Sequence, residues 1–261
     1  MRFSKAHAYG NDFLYVLAAD VDGKDLGPLA RELCDRHTGI GGDGLIVYRP
    51  TPDGASMHLL NADGSRSEVS GNGVRGLAAF LLRDNDREDA AITIHSEGGA
   101  KPLVRTGRTA SRQTFRAAMG LPVDLRQVTV MAAGESLQLA VMTFGNPQCV
   151  TLGPLPDEDR FRRLGPALER HSIFPERSNV EFAHVEAPDT VRILVWERGV
   201  GPTMSSGTGS CAALIAAARF GGAARDADVV APGGRQRVQW RDDSVYLTGW
   251  AEVLFEGNWL R

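Results

Sequence analysis

Two short segments with the pattern serine-glycine-x-glycine stand directly before the two most apolar helical stretches of the chain. They begin at Ser70 and Ser206. Unpaired backbone N–H groups and the positive end of the dipole make the start of a helix attractive to a carboxylate. The same groups stabilise negative charge that develops on a carboxylate when a proton leaves the adjacent carbon. One such segment is typical of ordinary serine N-capping, whereas two related segments favour a carboxylate-binding site.

These segments belong to an internal duplication, because the second half of the chain repeats the first at a nearly constant spacing. Asn11 recurs as Asn146, 135 residues later, and Ser70 recurs as Ser206, 136 residues later. We therefore expect two related halves that present their serine segments to each other across an interdomain cleft. Helical patterns at residues 29–37 and 164–171, and strand patterns at residues 45–48 and 180–185, fall in matching order.

Polar side chains that could hold an amino acid lie at related positions in both halves. Asn61 and Glu197 each end an apolar strand pattern, nine residues before a serine of the pair. Arg198 supplies a guanidinium group that can bind a carboxylate through two hydrogen bonds. Together these groups predict a site for a polar, zwitterionic ligand. Further amide side chains that can donate and accept hydrogen bonds are those of Asn11, Asn146 and Asn179.

Many short strand patterns surround each apolar helix, which predicts an α+β fold of two pseudo-symmetric domains. A helix that is apolar nearly all round must be buried, so each half should be a curled, mostly antiparallel sheet or barrel around a central helix. We place the domains at residues 1–123 and 124–249, with residues 250–261 as a tail returning to the first half. The boundary is expected in a turn near residues 122–126. Other strand patterns lie at residues 13–16, 91–95, 103–106, 114–119, 137–143, 149–152, 191–196 and 237–240.

Composition and charge exclude several classes of protein. The 261 residues are 43% apolar and 23% charged, as in ordinary globular proteins, and are enough for two domains. The net charge is −3 and no Lys/Arg cluster could follow a phosphate backbone, so nucleic acid is not an expected partner. Residues 1–13 contain neither a signal-peptide core nor a membrane span, which indicates a cytoplasmic protein with no membrane partner.

No residue pattern indicates a metal or a cofactor. Cys34, Cys149 and Cys211 match no metal-ligand spacing, so we expect reduced, buried thiols. The six histidines show no paired spacing, and His7 is expected to be structural. Residues 39–44 fit G-x-G-x-x-G, but a helix precedes them and a strand follows, the reverse of a dinucleotide-binding loop. No lysine stands in an apolar context suited to pyridoxal phosphate.

The chain resembles the diaminopimelate epimerase family from end to end. The matching stretches include FSKAHAYGNDF, CDRHTGIGGDGLIV, NADGSRSEVSGNGVRG, FGNPQCV, FPERSNVEF and ERGVGPTMSSGTGSCAA. The resemblance implies a homodimeric, cofactor-independent enzyme that interconverts LL- and meso-diaminopimelate on the route to lysine and peptidoglycan. In that family two cysteines face each other across the substrate α-carbon, one as thiolate base and one as thiol acid.

Position by position, the resemblance places this acid/base pair on Ser70 and Ser206, where serine stands in place of cysteine. The substrate contacts that it implies are the side chains of Asn11, Asn61, Asn179, Glu197 and Arg198 and the backbone N–H groups of Gly71, Asn72, Gly207 and Thr208.

The chain departs from the family at the groups that move protons. A thiol, with a pKa of about 8.5, is partly ionised at a helix start, whereas a serine hydroxyl is not and needs a separate base. Gln148 stands where the family usually has a histidine, and Pro202 replaces an acidic residue. Glu197 is then expected to be the only nearby carboxylate, and the family suggests that it binds the substrate ammonium.

Three accounts fit these departures. The chain is an epimerase or related isomerase to which the serines are natural, acting on diaminopimelate or another substrate; or it is an amino-acid-binding homologue without turnover; or it is a Cys→Ser variant of an ordinary epimerase. Gln148 and Pro202 count against the third account, because such engineering would leave neighbouring residues unchanged. We favour the first account, since the binding residues are retained.

Overall fold

The computed structural model describes residues 1–260 and divides the chain into two units, each with its own core. The first unit is Met1–Ala118 together with the C-terminal segment from Thr248, and the second is Met119–Leu247. The last strand, β17 (Val245–Asn258), begins in the second unit and continues into the first.

Eight strands of the first unit form a mixed sheet that closes on itself. Its elements are β1 (Arg2–Ala8), β2 (Asn11–Leu17), α1 (Leu26–Cys34), β3 (Gly44–Thr51), β4 (Gly54–Asn61), β5 (Arg66–Ser67), α2 (Gly71–Leu81), β6 (Ala91–Ser96), β7 (Gly99–Arg108) and β8 (Arg112–Ala118). The strand order is β8-β7-β6-β4-β3-β2-β1-β17, and β17 also pairs with β8. The pairs β2–β3 and β4–β6 are parallel.

The second unit repeats this arrangement. Its elements are β9 (Val123–Ala132), β10 (Glu135–Thr143), β11 (Pro147–Leu152), α3 (Glu158–Glu169), β12 (Asn179–Ala187), β13 (Thr190–Glu197), β14 (Gly201–Thr203), α4 (Gly207–Phe220), β15 (Asp226–Ala231) and β16 (Gly234–Trp240). The strands run in the order β9-β10-β11-β12-β13-β15-β16, with β11–β12 and β13–β15 parallel. The predicted α+β fold of two pseudo-symmetric halves is confirmed.

A helix that is buried over most of its length occupies the centre of each unit. In α2, every residue from Gly71 to Ala79 is buried, and the helix contacts β1, β2, β6, β7 and β8. In α4, every residue from Gly207 to Ala217 is buried, and the helix contacts β11, β12, β13, β15 and β16. Burial on all sides explains why both helices are apolar nearly all round. The sheets hold the first residues of these helices in place.

A second helix covers one face of the sheet in each unit. Leu33 of α1 shares a buried cluster with Leu14 of β2 and Leu45 of β3. Leu168 of α3 shares the corresponding cluster with Val180 of β12. These amphipathic helices shield the parallel strand pairs β2–β3 and β11–β12, which carry residues of the candidate site.

The glycine-rich stretch is a turn from α1 to β3, as its context indicated. The N–H groups of Ile40 and Gly41 both donate to the carbonyl oxygen of Leu33, at 2.9 and 3.0 Å. Gly41 has a φ of 82°, which favours glycine, and a Cβ on Gly39 would lie 2.2 Å from the Glu32 carbonyl oxygen. The glycines thus serve the turn itself.

Three predicted boundaries were wrong. Helix α1 ends at Cys34 rather than residue 37, because Asp35 accepts the N–H groups of the next turn. Helix α3 begins at Glu158, six residues earlier than predicted, where Asp157 caps it by accepting from the N–H of Arg160 at 2.8 Å. Strand β9 begins at Val123, inside the stretch expected to be a turn.

Candidate active site

Ser70 caps helix α2 and lies beside two asparagines predicted for the site. Its Oγ accepts a hydrogen bond from the N–H of Gly73 at 3.1 Å. The buried side chain of Asn72 donates to Asn11 Oδ1 at 3.2 Å. Asn11 in turn donates to Asp43 Oδ2 at 2.7 Å. The structure therefore brings Ser70, Asn72 and Asn11 together at the start of the central helix.

A cluster of charges fixes the position of Asn11. Asp43 Oδ2 also accepts from the backbone N–H of Asp12 at 3.0 Å. Arg36 bridges Asp12 and Asp43 at 2.7 and 2.8 Å, and the Lys5 ammonium lies 2.9 Å from Asp12. Burial raises the pKa of Asp12, but hydrogen bonds from Arg36 and Lys5 outweigh it and hold the pKa below its usual value. The cluster is a rigid support for the amide rather than a source of protons.

Ser206 caps helix α4 in the same way as Ser70 caps α2. Its Oγ accepts from the N–H of Gly209 at 3.1 Å, and its carbonyl oxygen accepts from Ser210 Oγ at 2.7 Å. The buried Gln236 donates to Ser210 Oγ at 3.1 Å and to Ser205 Oγ at 2.9 Å. Ser206 itself is buried. This network of hydroxyls and an amide fixes the turn that leads into the helix.

Asn179, Glu197 and Arg198 form a second group in the same unit. The buried Asn179 begins β12, and its Oδ1 accepts from the backbone N–H of Arg198 at 2.9 Å. Glu197 ends β13 and accepts from Thr203 Oγ1 at 2.9 Å. The Arg198 guanidinium donates to the Glu176 carbonyl oxygen at 3.3 Å. Three of the predicted binding residues therefore share one end of the β12–β13 pair.

The remaining predicted residues have local roles in this structure. Asn61, at the end of β4, donates to Ser65 Oγ at 3.0 Å. The Asn146 side chain contacts the amide of Gln148. Helices α2 and α4 begin at Gly71 and Gly207. Asn72 and Thr208 are buried in the first turns of these helices.

Sequence reasoning missed a buried carboxyl beside Ser206. Glu181, the third residue of β12, is fully buried, and a Cβ placed on Gly209 would lie 2.7 Å from its Oε1. Burial raises the pKa of Glu181 well above its usual value, and the neighbouring Glu197 raises it further. The expectation that Glu197 is the only nearby carboxylate was wrong. The signal was present in the sequence, because Glu181 interrupts an apolar strand pattern.

The three cysteines are free and buried, as predicted, and none of them lies at a helix start. Burial raises the pKa of Cys34 to about 12, and the pKa of Cys149 is raised by burial and by Glu181. The thiols of Cys34 and Cys149 are therefore protonated at neutral pH and are not nucleophiles. His7 accepts from the N–H of Gly10 at 3.2 Å, as expected of a structural residue.

The family model described as diaminopimelate epimerase matches residues 3–121 and 140–254 of this chain. The chain belongs to this family. It is 38% identical to the diaminopimelate epimerase of Desulforudis audaxviator, with all of both chains covered. It is 37% identical to that of Nostoc punctiforme, with 99% of both chains covered. Family membership identifies the chain as an isomerase of the epimerase type.

Solved structures of low sequence identity share the fold. A hydroxyproline epimerase from Agrobacterium vitis superimposes with a TM-score of 0.74 at 15% identity, covering 98% of this chain and 91% of its own. A phenazine biosynthesis protein from Bacillus anthracis gives a TM-score of 0.71 at 14% identity, covering 100% and 99%. In the described residues, no helix is long and apolar enough to span a bilayer.

Proposed function

We propose that this chain is a cofactor-independent epimerase that interconverts LL- and meso-diaminopimelate, with Ser70 and Ser206 in the acid/base positions. The observation that carries the proposal is the equivalence of the two hydroxyls. Each caps a buried central helix, and each Oγ accepts a hydrogen bond of 3.1 Å from the N–H three residues later. The family's curated members from Desulforudis audaxviator and Nostoc punctiforme carry this activity in their names.

The helix starts suit the charge that the reaction creates. When the α-proton leaves, negative charge spreads onto the neighbouring carboxylate, and N–H groups at a helix start stabilise that charge more than they stabilise the substrate. Gly71 and Gly207, the first residues of α2 and α4, add no side chain next to the serine. The proposed substrate contacts are the side chains of Asn11, Asn61, Asn146, Asn179, Glu197 and Arg198 and the backbone N–H groups of Gly71, Asn72, Gly207 and Thr208.

Serine in place of cysteine favours a second candidate function, an amino-acid-binding homologue that has lost turnover. A hydroxyl next to a helix start is a far weaker acid and base than a thiol. Gln148 also carries no proton to transfer. This candidate predicts binding without chemistry.

Proton exchange at the α-carbon separates the two functions. We expect the chain to replace the α-hydrogen of diaminopimelate with deuterium from D2O, followed by proton NMR, and to invert that centre. Measurable calorimetric binding without exchange, across a panel of amino acids, would establish the binding protein instead.

Restoring the thiols tests the scaffold. We expect the double variant Ser70→Cys, Ser206→Cys to epimerise diaminopimelate at least 100-fold faster than the parent, since a thiolate base replaces a hydroxyl. The single variants are the matched controls, and each should gain less than the double variant. No gain in the double variant would show that the substrate contacts have diverged as well.

The proposed function also implies an oligomeric state, a cellular location and independence from a cofactor. We infer a cytoplasmic homodimer that works without pyridoxal phosphate on the route to lysine and peptidoglycan. Light scattering of the purified protein tests the dimer. Activity that survives hydroxylamine, which removes pyridoxal phosphate from enzymes, tests the independence from that cofactor.

A further inference from the structure

The duplicated halves differ at one pair of equivalent positions beside the serines. Ile46 in β3 and Glu181 in β12 are equivalent, because they pair in parallel with Tyr15 and Val150 at matching register. A Cβ on Gly73 would lie 2.7 Å from the Cδ1 of Ile46. A Cβ on Gly209 would lie 2.7 Å from the Oε1 of Glu181. One serine therefore has an apolar neighbour and the other has a carboxyl.

The Glu181 carboxyl and the Ser206 hydroxyl both face Gly209. The same Cβ position on Gly209 is 3.1 Å from Ser206 Oγ, so both oxygens flank one small space above the glycine. Hydrogen bonds at catalytic groups often tighten only when substrate binds. A residue larger than glycine would place its Cβ against both oxygens.

Gln148 can form a hydrogen bond with Glu181 in both protonation states of the carboxyl. One end of the Gln148 carboxamide lies 3.0 and 3.3 Å from the two oxygens of the Glu181 carboxyl. When that end is the NH2 group, it donates to a carboxylate; when it is the oxygen, it accepts from a carboxylic acid. The other end contacts Asn146. The amide thus accommodates the gain and the loss of a proton at a fully buried site.

We propose that Glu181 is the proton-transfer partner of Ser206, which gives the second half of the chain a base that the equivalent position of the first half lacks. This inference rests on the proposed epimerase function. It gives the chain the separate base that a hydroxyl needs and that Gln148 cannot supply. Ser70, next to Ile46, has no counterpart of this carboxyl at the equivalent position.

The proposed step moves one proton from the α-carbon to Ser206 and one proton from Ser206 to Glu181. The Cα–H bond breaks and its electron pair stays on carbon, delocalised into the substrate carboxylate. The proton bonds to Ser206 Oγ while the Oγ–H bond breaks, and the released proton passes to the Glu181 carboxylate. The reverse step returns a proton to the same face of the carbon. When the proton on Ser206 Oγ exchanges with D2O, directly or through Glu181, between these steps, deuterium enters the carbon without inversion.

The groups around Glu181 determine the pH at which its carboxyl loses its proton. The groups that face it are Glu197 on β13, the Cys149 thiol on β11, and uncharged residues of α4. Burial and Glu197 both raise its pKa, which makes the carboxylate a stronger base than an exposed glutamate. Since the step begins with the carboxylate, exchange should speed up as pH rises through the pKa of Glu181.

Deuterium exchange into the separate epimers of diaminopimelate tests the partnership. We expect one epimer to exchange with retention faster than it inverts, and Glu181→Gln to slow that exchange at least 100-fold. Glu186→Gln, on the same strand but bonded to Arg192 at the surface, is the matched control and should exchange like the parent. In a Ser206→Cys background, Glu181→Gln should slow the exchange less than threefold, because a thiol ionises without a separate base. Equal losses in both backgrounds would show a merely structural role and overturn the proposal.

A second measurement does not depend on turnover. Infrared titration of the protein in D2O should show a buried carboxylic acid band that is absent from Glu181→Gln. We expect Ser206→Ala to shift the pH midpoint of this band, and Ser70→Ala to leave it unchanged. An unshifted midpoint in Ser206→Ala would overturn the partnership whether or not the chain turns over. A shifted midpoint without exchange of any amino acid would support the partnership and disprove the epimerase function.

Discussion

The proposed chemistry of this chain depends on what a hydroxyl can do at the two proposed acid/base positions. Ser70 and Ser206 each accept an N–H hydrogen bond at the start of a helix, and both that bond and the helix dipole favour negative charge on Oγ. These terms are too small to ionise a serine at neutral pH. In the step proposed for Ser206, Glu181 takes the hydroxyl proton as Oγ receives the substrate proton, so the serine does not have to ionise beforehand.

The two hydroxyls also stabilise the fold as helix caps. We expect Ser70→Ala and Ser206→Ala each to lower the free energy of unfolding by about 1 kcal/mol, because each removes the acceptor for an N–H in the first turn. Cysteine is a weak acceptor, so Ser70→Cys and Ser206→Cys should lose part of the same amount. Urea unfolding monitored by circular dichroism measures this. Alanine variants as stable as the parent would show that water replaces the cap.

At the residue scale, the sequence allowed a residue to be assigned to the candidate site where that residue belongs to a motif. The serines could be found because they open two related motifs, and both are caps in the structure. Glu181 could not be assigned in the same way, because its role depends on Gly209, which is distant in sequence and meets it only when α4 packs on β12. Tertiary packing, rather than local pattern, gives that carboxyl its neighbours.

At the element scale, the central helix of the first unit approaches its sheet through a glycine. A Cβ on Gly76 of α2 would lie 2.0 Å from the Tyr15 hydroxyl and 3.0 Å from the ring carbon that bears it. The Tyr15 hydroxyl donates to the Gly73 carbonyl oxygen at 3.0 Å, so it cannot move away without losing a buried hydrogen bond. Helix and strand are thus joined at the turn that follows Ser70.

We expect Gly76→Ala to lower the free energy of unfolding by about 2 kcal/mol, although alanine favours a helix by about 1 kcal/mol over glycine. Tyr15→Phe removes the oxygen that clashes most closely and alone should cost about 1 kcal/mol for the lost hydrogen bond. Because both changes act on one contact, the double variant should be more stable than the sum of the single effects predicts. Denaturant unfolding of the four proteins measures the coupling. Simple additivity would contradict the close approach.

Most elements could be predicted because each has a local signal, and the failures have physical causes. The apolar stretches after Ser70 and Ser206 became the two buried helices. Helix α3 began earlier than its apolar pattern, since Asp157 caps a first turn of charged residues that carries no apolar signal. Strand β9 was hidden, because its exposed first residues show little alternation between apolar and polar side chains.

At the scale of the whole molecule, two buried carboxyls should give stability opposite dependences on pH. Asp12, in the first unit, has a pKa below its ordinary 3.8, since the hydrogen bonds from Arg36 and Lys5 outweigh burial. Its contribution is present above that ordinary value and is lost as pH falls through the lowered pKa. Glu181, in the second unit, has a pKa above its ordinary 4.5 because of burial and Glu197. Its contribution is present below 4.5 and is lost as pH rises through the raised pKa.

We therefore expect the free energy of unfolding to fall on both sides of a mildly acidic maximum. Asp12→Asn should flatten the acidic side and cost about 2 kcal/mol near neutral pH, because Lys5 and Arg36 lose a charged partner. Glu181→Gln should flatten the other side, since an amide fills the same space without ionising. Urea unfolding at a series of pH values checks both variants, with Glu186→Gln as the control for the loss of one carboxylate. If the free energy of unfolding of Glu181→Gln still falls above the maximum as it does in the parent, the Glu181 carboxyl does not have a raised pKa in the folded protein. The base proposed for Ser206 would then lack the raised pKa that suits it to proton transfer at neutral pH.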